Sequence, residues 1–177
     1  MSSDDFTVFL SPDGDGLSRD SLLRTAAARF TGRDASRWTC VREEGKKPRF
    51  SQAPEVCFSV SHSGGYWACA FGHAPVGFDL QRWEPCRTAA LARRFFHPGE
   101  AVWLEERGGS EADFFFLWTA KESYLKYTGD GMVKGLDWFN VLAPLPGGAQ
   151  LRHISGPDGY SLCLCAASVG RVSVVRL

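Results

Sequence analysis

The pattern of apolar and polar positions divides the chain into two passages of similar plan. Residues 7–10, TVFL, predict a short strand, and the SPDGDG run after them a turn. Residues 17–32, LSRDSLLRTAAARFTG, predict a helix. Leu22, Ala26 and Phe30 recur at steps of four, Ser18 stands where a hydroxyl caps free amides, and Gly32 stands where a helix ends. The polar stretch EEGKKPRF at 43–50, broken by Pro48, predicts a loop. Three strand-like runs follow at 55–63, 65–72 and 76–81, with Gly64-Gly65 and Ala74-Pro75 between them, and predict an antiparallel meander.

The second passage repeats this order. Residues 97–107 predict a short helix, GGSE breaks it, and 111–128 predict a long one; runs at 136–143, 150–155, 159–168 and 171–177 predict strands. GGYWACAFG and DGYSLCLCAAS each place a turn glycine before a tyrosine and a cysteine three residues after it. Helix then meander, twice, predicts an α+β fold of two pseudo-duplicated halves, 1–82 and 83–177, within one compact unit. A cleft between such halves is a natural ligand site.

Charge narrows the function. Twenty Lys and Arg balance twenty Asp and Glu, which argues against a general nucleic-acid binder and leaves room for a local basic pocket. The six cysteines form neither a C-x-x-C pair nor a zinc-finger spacing, so they are expected to be reduced and structural. The first residues have neither the apolar core of a signal peptide nor the arginines of a transit peptide, and no run reaches membrane-span length. A cytoplasmic protein is expected.

Four stretches carry candidate chemistry. On the long helix Trp118, Glu122 and Lys126 fall at i, i+4 and i+8, along one face. The ordinary reading of Glu122 and Lys126 is a surface pair worth about 0.3–0.5 kcal/mol; the aromatic neighbours instead place the stripe beside a cleft. Lys121 points off that face and is expected to pair at the surface. In GFDLQ, Gly77, Asp79 and Gln81 share one strand face, either a solvated face or an oxygen-rich site for Mg²⁺. In FSVSHSGG, Ser59, Ser61 and Ser63 alternate before a Gly-Gly turn, with His62 among them. The G-x-S-x-G elbow of serine hydrolases is absent, and hydroxyl and imidazole donors there suit phosphate oxygens or merely cap a strand. Lys46, Lys47 and Arg49 make a basic loop around Pro48, which is either solvated charge or an anion contact.

In order, the blocks FSVSHSGGYWACAFG, VGFDLQ, FFHPGE and FFFLWTAKESYLKYTGDGM resemble the 4′-phosphopantetheinyl transferase superfamily of the Sfp type, over about residues 19 to 168. The resemblance implies Mg²⁺-dependent transfer of the 4′-phosphopantetheine arm of coenzyme A to a serine of an apo acyl or peptidyl carrier protein, with release of 3′,5′-ADP. By the family pattern Asp79 and Glu122 match the metal-binding carboxylates, and Glu122 also the base for the serine hydroxyl. Lys126 matches the lysine at the reacting phosphate. Lys47, Ser61, His62 and, opening the first helix, Arg19 match contacts to the coenzyme A phosphates. Gln81 stands where the family usually has a third carboxylate and is expected to contribute an amide oxygen and weaker Mg²⁺ binding. The segment before Arg19 is shorter than in larger relatives. The expected protein is a monomer acting on a carrier protein and coenzyme A; the alternative is a non-catalytic module of this fold that binds coenzyme A or a carrier.

Overall fold

The computed structural model describes residues 4–12, 16–129 and 135–177. The elements run β1 (Phe6–Pro12), α1 (Arg19–Thr31), β2 (Cys40–Val41), β3 (Arg49–Phe50), β4 (Cys57–Ser63), β5 (Tyr66–Gly72), β6 (Val76–Arg82), α2 (Thr88–Phe95), α3 (Pro98–Glu106), α4 (Glu111–Thr128), β7 (Gln150–His153), β8 (Tyr160–Ala166) and β9 (Val172–Arg176). The class is α+β. Helix α1 begins and ends as its sequence dictates: Ser18 Oγ accepts from Ser21 N, and Gly32 adopts a left-handed φ of 70°.

Two sheets stack between helices. The first has strand order β4-β5-β1-β9 and the second β6-β8-β7. Alternation along each strand sorts the side chains into layers. Phe9, Trp67, Cys69 and Phe71 pack under α1 with Leu22, Leu23, Ala26 and Ala27. Phe6, Val8, Leu10, Phe78, Leu80, Leu162 and Leu164 fill the space between the sheets. On the far side α4 lies against the second sheet, so that α1, sheet, sheet and α4 form four layers. Helix α4 is buried almost all round, with Phe114, Leu117, Ala120, Tyr124 and Leu125 among its covered residues.

The third strand of the expected meander leaves the first sheet. Strand β5 pairs with β4 around the Gly64-Gly65 turn, but β6 pairs with β8 in the second sheet. The periodicity of 76–81 reports a strand and one buried face; it carries no information on which neighbour supplies the ladder. In return β9 runs parallel to β1, Phe6 opposite Val172, and completes the first sheet.

Where the edges of the two sheets meet, β4 and β6 are joined by hydroxyls. Ser59 Oγ accepts from Phe78 N (2.9 Å), Ser63 Oγ from Arg82 N (3.1 Å), and Ser61 Oγ donates to the Asp79 carboxylate (2.8 Å). The alternating serines thus act as side-chain rungs between strands that share no backbone ladder.

The run 136–143 is not a strand. Its polar backbone atoms are taken by a buried ion pair: Lys121 Nζ donates to Leu136 O (2.7 Å) and Phe139 O (2.8 Å), and Val141 N donates to Glu100 Oε1 (2.7 Å). Helix α2 lies in a segment whose sequence predicts no element.

Candidate active site

Gly77 sets the distance between the strand and the helix that build the site. A Cβ there would collide with the backbone carbonyl of Ser123 and the amide of Tyr127. Only glycine therefore allows β6 and α4 to touch backbone to backbone. Two residues further on the same face, Asp79 meets the helix at Glu122 and Lys126.

Asp79 is 5 % exposed. Its Oδ1 takes the Ser61 hydroxyl and the Lys126 ammonium, the latter at 2.7 Å. Its Oδ2 is buried and has no hydrogen-bond partner, and the same is true of Glu122 Oε1. Burial first, and the Asp79 charge second, push the Glu122 carboxyl above the usual range, with Lys126 opposing them. Lys126 also leans on Val60 O at 3.5 Å. Two carboxylates with uncompensated buried oxygens suit a hard divalent cation. Among the described residues no three His, Cys, Asp or Glu side chains gather in one place. Gln81 shares the β6 face of Asp79.

Beyond Gln81 opens a cavity of about 600 Å³ whose wall includes Leu91, Phe95, Phe114, Phe115, Trp118 and Leu136. Trp118, Glu122 and Lys126 do line up: the tryptophan faces the cavity, and the other two face Asp79. On the opposite side of β4, His62 and Arg19 line a second hollow of about 220 Å³. Its other cation, Arg42, carries no signal in the sequence; only the position of the β2–β3 segment brings it here.

Lys47 lies apart from these cations. Its ammonium donates to Val76 O (3.2 Å) and Tyr127 O (2.9 Å), fastening the start of β6 to the end of α4. Burial lowers its pKa to about 8. Lys121 corrects the expectation of a surface pair. It is fully buried, 2.7 Å from the equally buried Glu100 carboxylate. Glu100 also accepts from His97 N (3.0 Å), the N-cap of α3. The pair fixes the Leu136 segment, one wall of the large cavity. All six cysteines are free, and burial pushes Cys163 and Cys165 up to about 12, which leaves them inert as nucleophiles.

A model of the 4′-phosphopantetheinyl transferase superfamily matches residues 75–171, the span that carries Asp79, Gln81, Glu122 and Lys126. A 4′-phosphopantetheinyl transferase of Bacillus subtilis is 34% identical over 164 residues, covering 85% of this chain and 73% of that protein. The chain belongs to the 4′-phosphopantetheinyl transferase superfamily. Sfp of Bacillus subtilis strain 168 is 33% identical over 149 residues, with 83% of this chain and 65% of Sfp covered. The Bacillus pumilus psf-1 transferase is 38% identical over 124 residues, 69% of this chain and 52% of that protein. The chain thus spans roughly half to three-quarters of the lengths of these three relatives. The superfamily model leaves Arg19, Lys47, Ser61 and His62 outside its match.

Proposed function

We propose that the protein transfers the 4′-phosphopantetheine arm of coenzyme A to a serine hydroxyl of an apo acyl or peptidyl carrier protein. The observation that carries this reading is the pair of buried, unpartnered carboxylate oxygens on Asp79 and Glu122 beside the Lys126 ammonium. Asp79, Glu122 and the Gln81 amide would hold Mg²⁺. When bound, Mg²⁺ supplies positive charge to the oxygens of the coenzyme A diphosphate. The residues do the rest. Ser61 and Lys126 orient the Asp79 carboxylate, and Lys126 offers an ammonium to the reacting phosphate. Glu122, its carboxyl pushed up by burial and by the Asp79 charge, accepts the proton of the incoming serine. The serine oxygen bonds to the phosphorus bearing the pantetheine arm, the bridging P–O bond breaks, and 3′,5′-ADP departs with the bond pair.

The large apolar cavity beside Gln81 takes the pantetheine arm and excludes water from the reacting phosphate. Arg19, His62 and Lys47 are the contacts for the remaining phosphate oxygens, and Ser61 joins them by turning its one O–H away from Asp79; Lys47 reaches a phosphate oxygen by its third N–H or by releasing a carbonyl. Six free thiols are in keeping with the cytoplasm.

Incubation with an apo carrier, coenzyme A and Mg²⁺, followed by mass spectrometry, tests the reading. The carrier serine gains phosphopantetheine with the wild type, and Glu122→Ala, folded by circular dichroism, gives none. Measurable coenzyme A binding with no adduct on any of several carriers would instead identify a binding module.

A further inference from the structure

The transfer chemistry gives no role to the tyrosines that follow a turn glycine in GGYWACAFG and DGYSLCLCAAS, yet the fold brings the two together. Tyr66 opens β5 and Tyr160 opens β8, one in each sheet. Their rings meet edge to face, with centroids 5.2 Å apart and planes at 81°. The Tyr160 hydroxyl reaches further and donates to the Gly64 carbonyl at 2.7 Å, joining residues 96 positions apart in the chain.

That bond stands at the end of the seam between the sheets. The serine rungs run along β4 as far as Ser63, whose Oγ accepts from Arg82 N, and Gly64 follows directly. Gly64 and Gly65 are exposed and both have positive φ, 55° and 107°. A turn of two glycines is highly permissive and has no side chain with which to hold itself. Its support comes from outside: a Cβ on Gly64 would collide with the Arg82 side chain and the Tyr160 hydroxyl. Tyr160 is itself well fixed. Arg82 is its ladder partner on β6, Trp83 N donates to Gly159 O (2.7 Å), and Trp83 Nε1 donates to Ser161 Oγ (2.8 Å). Residues 159–161 thus grip the end of β6 by backbone and side chain, and the turn after β4 by the Tyr160 hydroxyl.

We propose that Tyr160 is a positioning residue for coenzyme A: its hydroxyl holds the end of β4, with Ser61 and His62, against the end of β6, with Asp79 and Gln81. This rests on the transferase reading, in which one coenzyme A molecule spans both strands, with a phosphate oxygen at His62 and the diphosphate beside Asp79. Strands β4 and β6 share no backbone ladder, so they can part without breaking the ladder of either sheet. A ligand that bridges them would then have to draw them together, and that ordering is subtracted from its affinity. The tether at Gly64 removes this cost before the ligand arrives. The bridging contacts are the same before and during transfer, so Tyr160 acts on the binding of coenzyme A and not on the chemical step.

Steady-state transfer at saturating carrier and Mg²⁺ tests the proposal. Tyr160→Phe keeps the ring on Tyr66 and loses only the O–H. Its KM for coenzyme A rises roughly 2- to 10-fold, the span of one hydrogen bond, while kcat stays within about twofold. Tyr66→Phe, which removes the other hydroxyl of the ring pair, changes neither constant. A merely structural role has a different signature: the denaturation midpoint falls, less of the protein is active, and kcat drops at unchanged KM. A loss confined to kcat in Tyr160→Phe, a KM that rises less than about twofold, or an equal rise in Tyr66→Phe overturns the proposal. Calorimetric titration of coenzyme A without carrier separates the two readings. Binding that weakens in Tyr160→Phe, with no transfer by the wild type, would sink the transferase reading alone. Transfer by the wild type, with coenzyme A bound equally well by Tyr160→Phe, would sink the role of Tyr160 alone.

Discussion

Replacing Lys121 by methionine removes the cation from the most thoroughly buried polar cluster in the described structure and leaves the helix otherwise intact. Lys121 and Glu100 are both fully buried, 2.7 Å apart. Breaking such a pair by deleting one partner costs about 3–5 kcal/mol, because the other charge stays behind without compensation. The carbonyls of Leu136 and Phe139 lose their donor as well. For a domain of this size each kcal/mol lowers Tm by about 2–4 °C, so a drop of roughly 6–20 °C is expected. The double variant Lys121→Met, Glu100→Leu decides what the pair is for. A buried ion pair that serves only itself can be replaced by apolar residues at little or no cost. Here that replacement also strips Leu136 O, Phe139 O, His97 N and Val141 N of their partners. Each such group costs about 1–3 kcal/mol when left unpaired. The double variant should therefore be no more stable than Lys121→Met. Urea denaturation followed by circular dichroism measures both. A double variant as stable as the wild type would refute the idea that the pair exists to anchor the 136–141 segment.

Three further outcomes are expected. Gly77→Ala forces β6 and α4 apart, costing about 3 kcal/mol or more, with loss of Mg²⁺-dependent transfer; chemical denaturation and the carrier assay report the two effects. Gln81→Glu adds the missing charge beside Asp79, so half-maximal transfer should need less Mg²⁺; an unchanged magnesium titration would refute the role given to Gln81. His153 stacks on Phe116, ring centroids 3.6 Å apart, and burial lowers its pKa from 6.5 to about 4. Between those values the unfolded chain takes up a proton that the folded one refuses, so stability is full above pH 6.5 and declines toward pH 4, by up to roughly 3 kcal/mol. In His153→Phe the denaturation midpoint should fall less across that range than in the wild type.

What the sequence shows and what it hides follow a physical line. The caps of α1, the length of α4 and the turn at Gly64-Gly65 are local, and their residues act within a few positions of themselves. Asp79, Glu122 and Lys126 were legible because each sits at a regular spacing inside a strongly patterned element. Partners distant in the chain were not. Nothing near residue 81 tells that β6 joins β8 rather than β5. Nothing in LDWFNVLA, with its high strand propensity, tells that its carbonyls belong to Lys121. Arg42 carries no local signal, and only the fold sets it beside Arg19 and His62. The serines were legible as donors, but two of the three spend their hydroxyls on the backbone of β6.

The exchange of strands between the sheets bears on how the molecule is made. The sheet that carries Ser61 has β4 and β5 early, yet its β1 edge stays open until residues 172–176 arrive to pair with it. The strand that carries Asp79 likewise waits for β8 before it has any ladder at all. During synthesis neither side of the cleft can mature ahead of the other, and contacts this far apart in sequence make for slow folding. The carboxylates of Asp79 and Glu122 are thus brought together in the same late, cooperative step that closes both sheets, and an incomplete chain offers an unpaired strand edge rather than a half-built site.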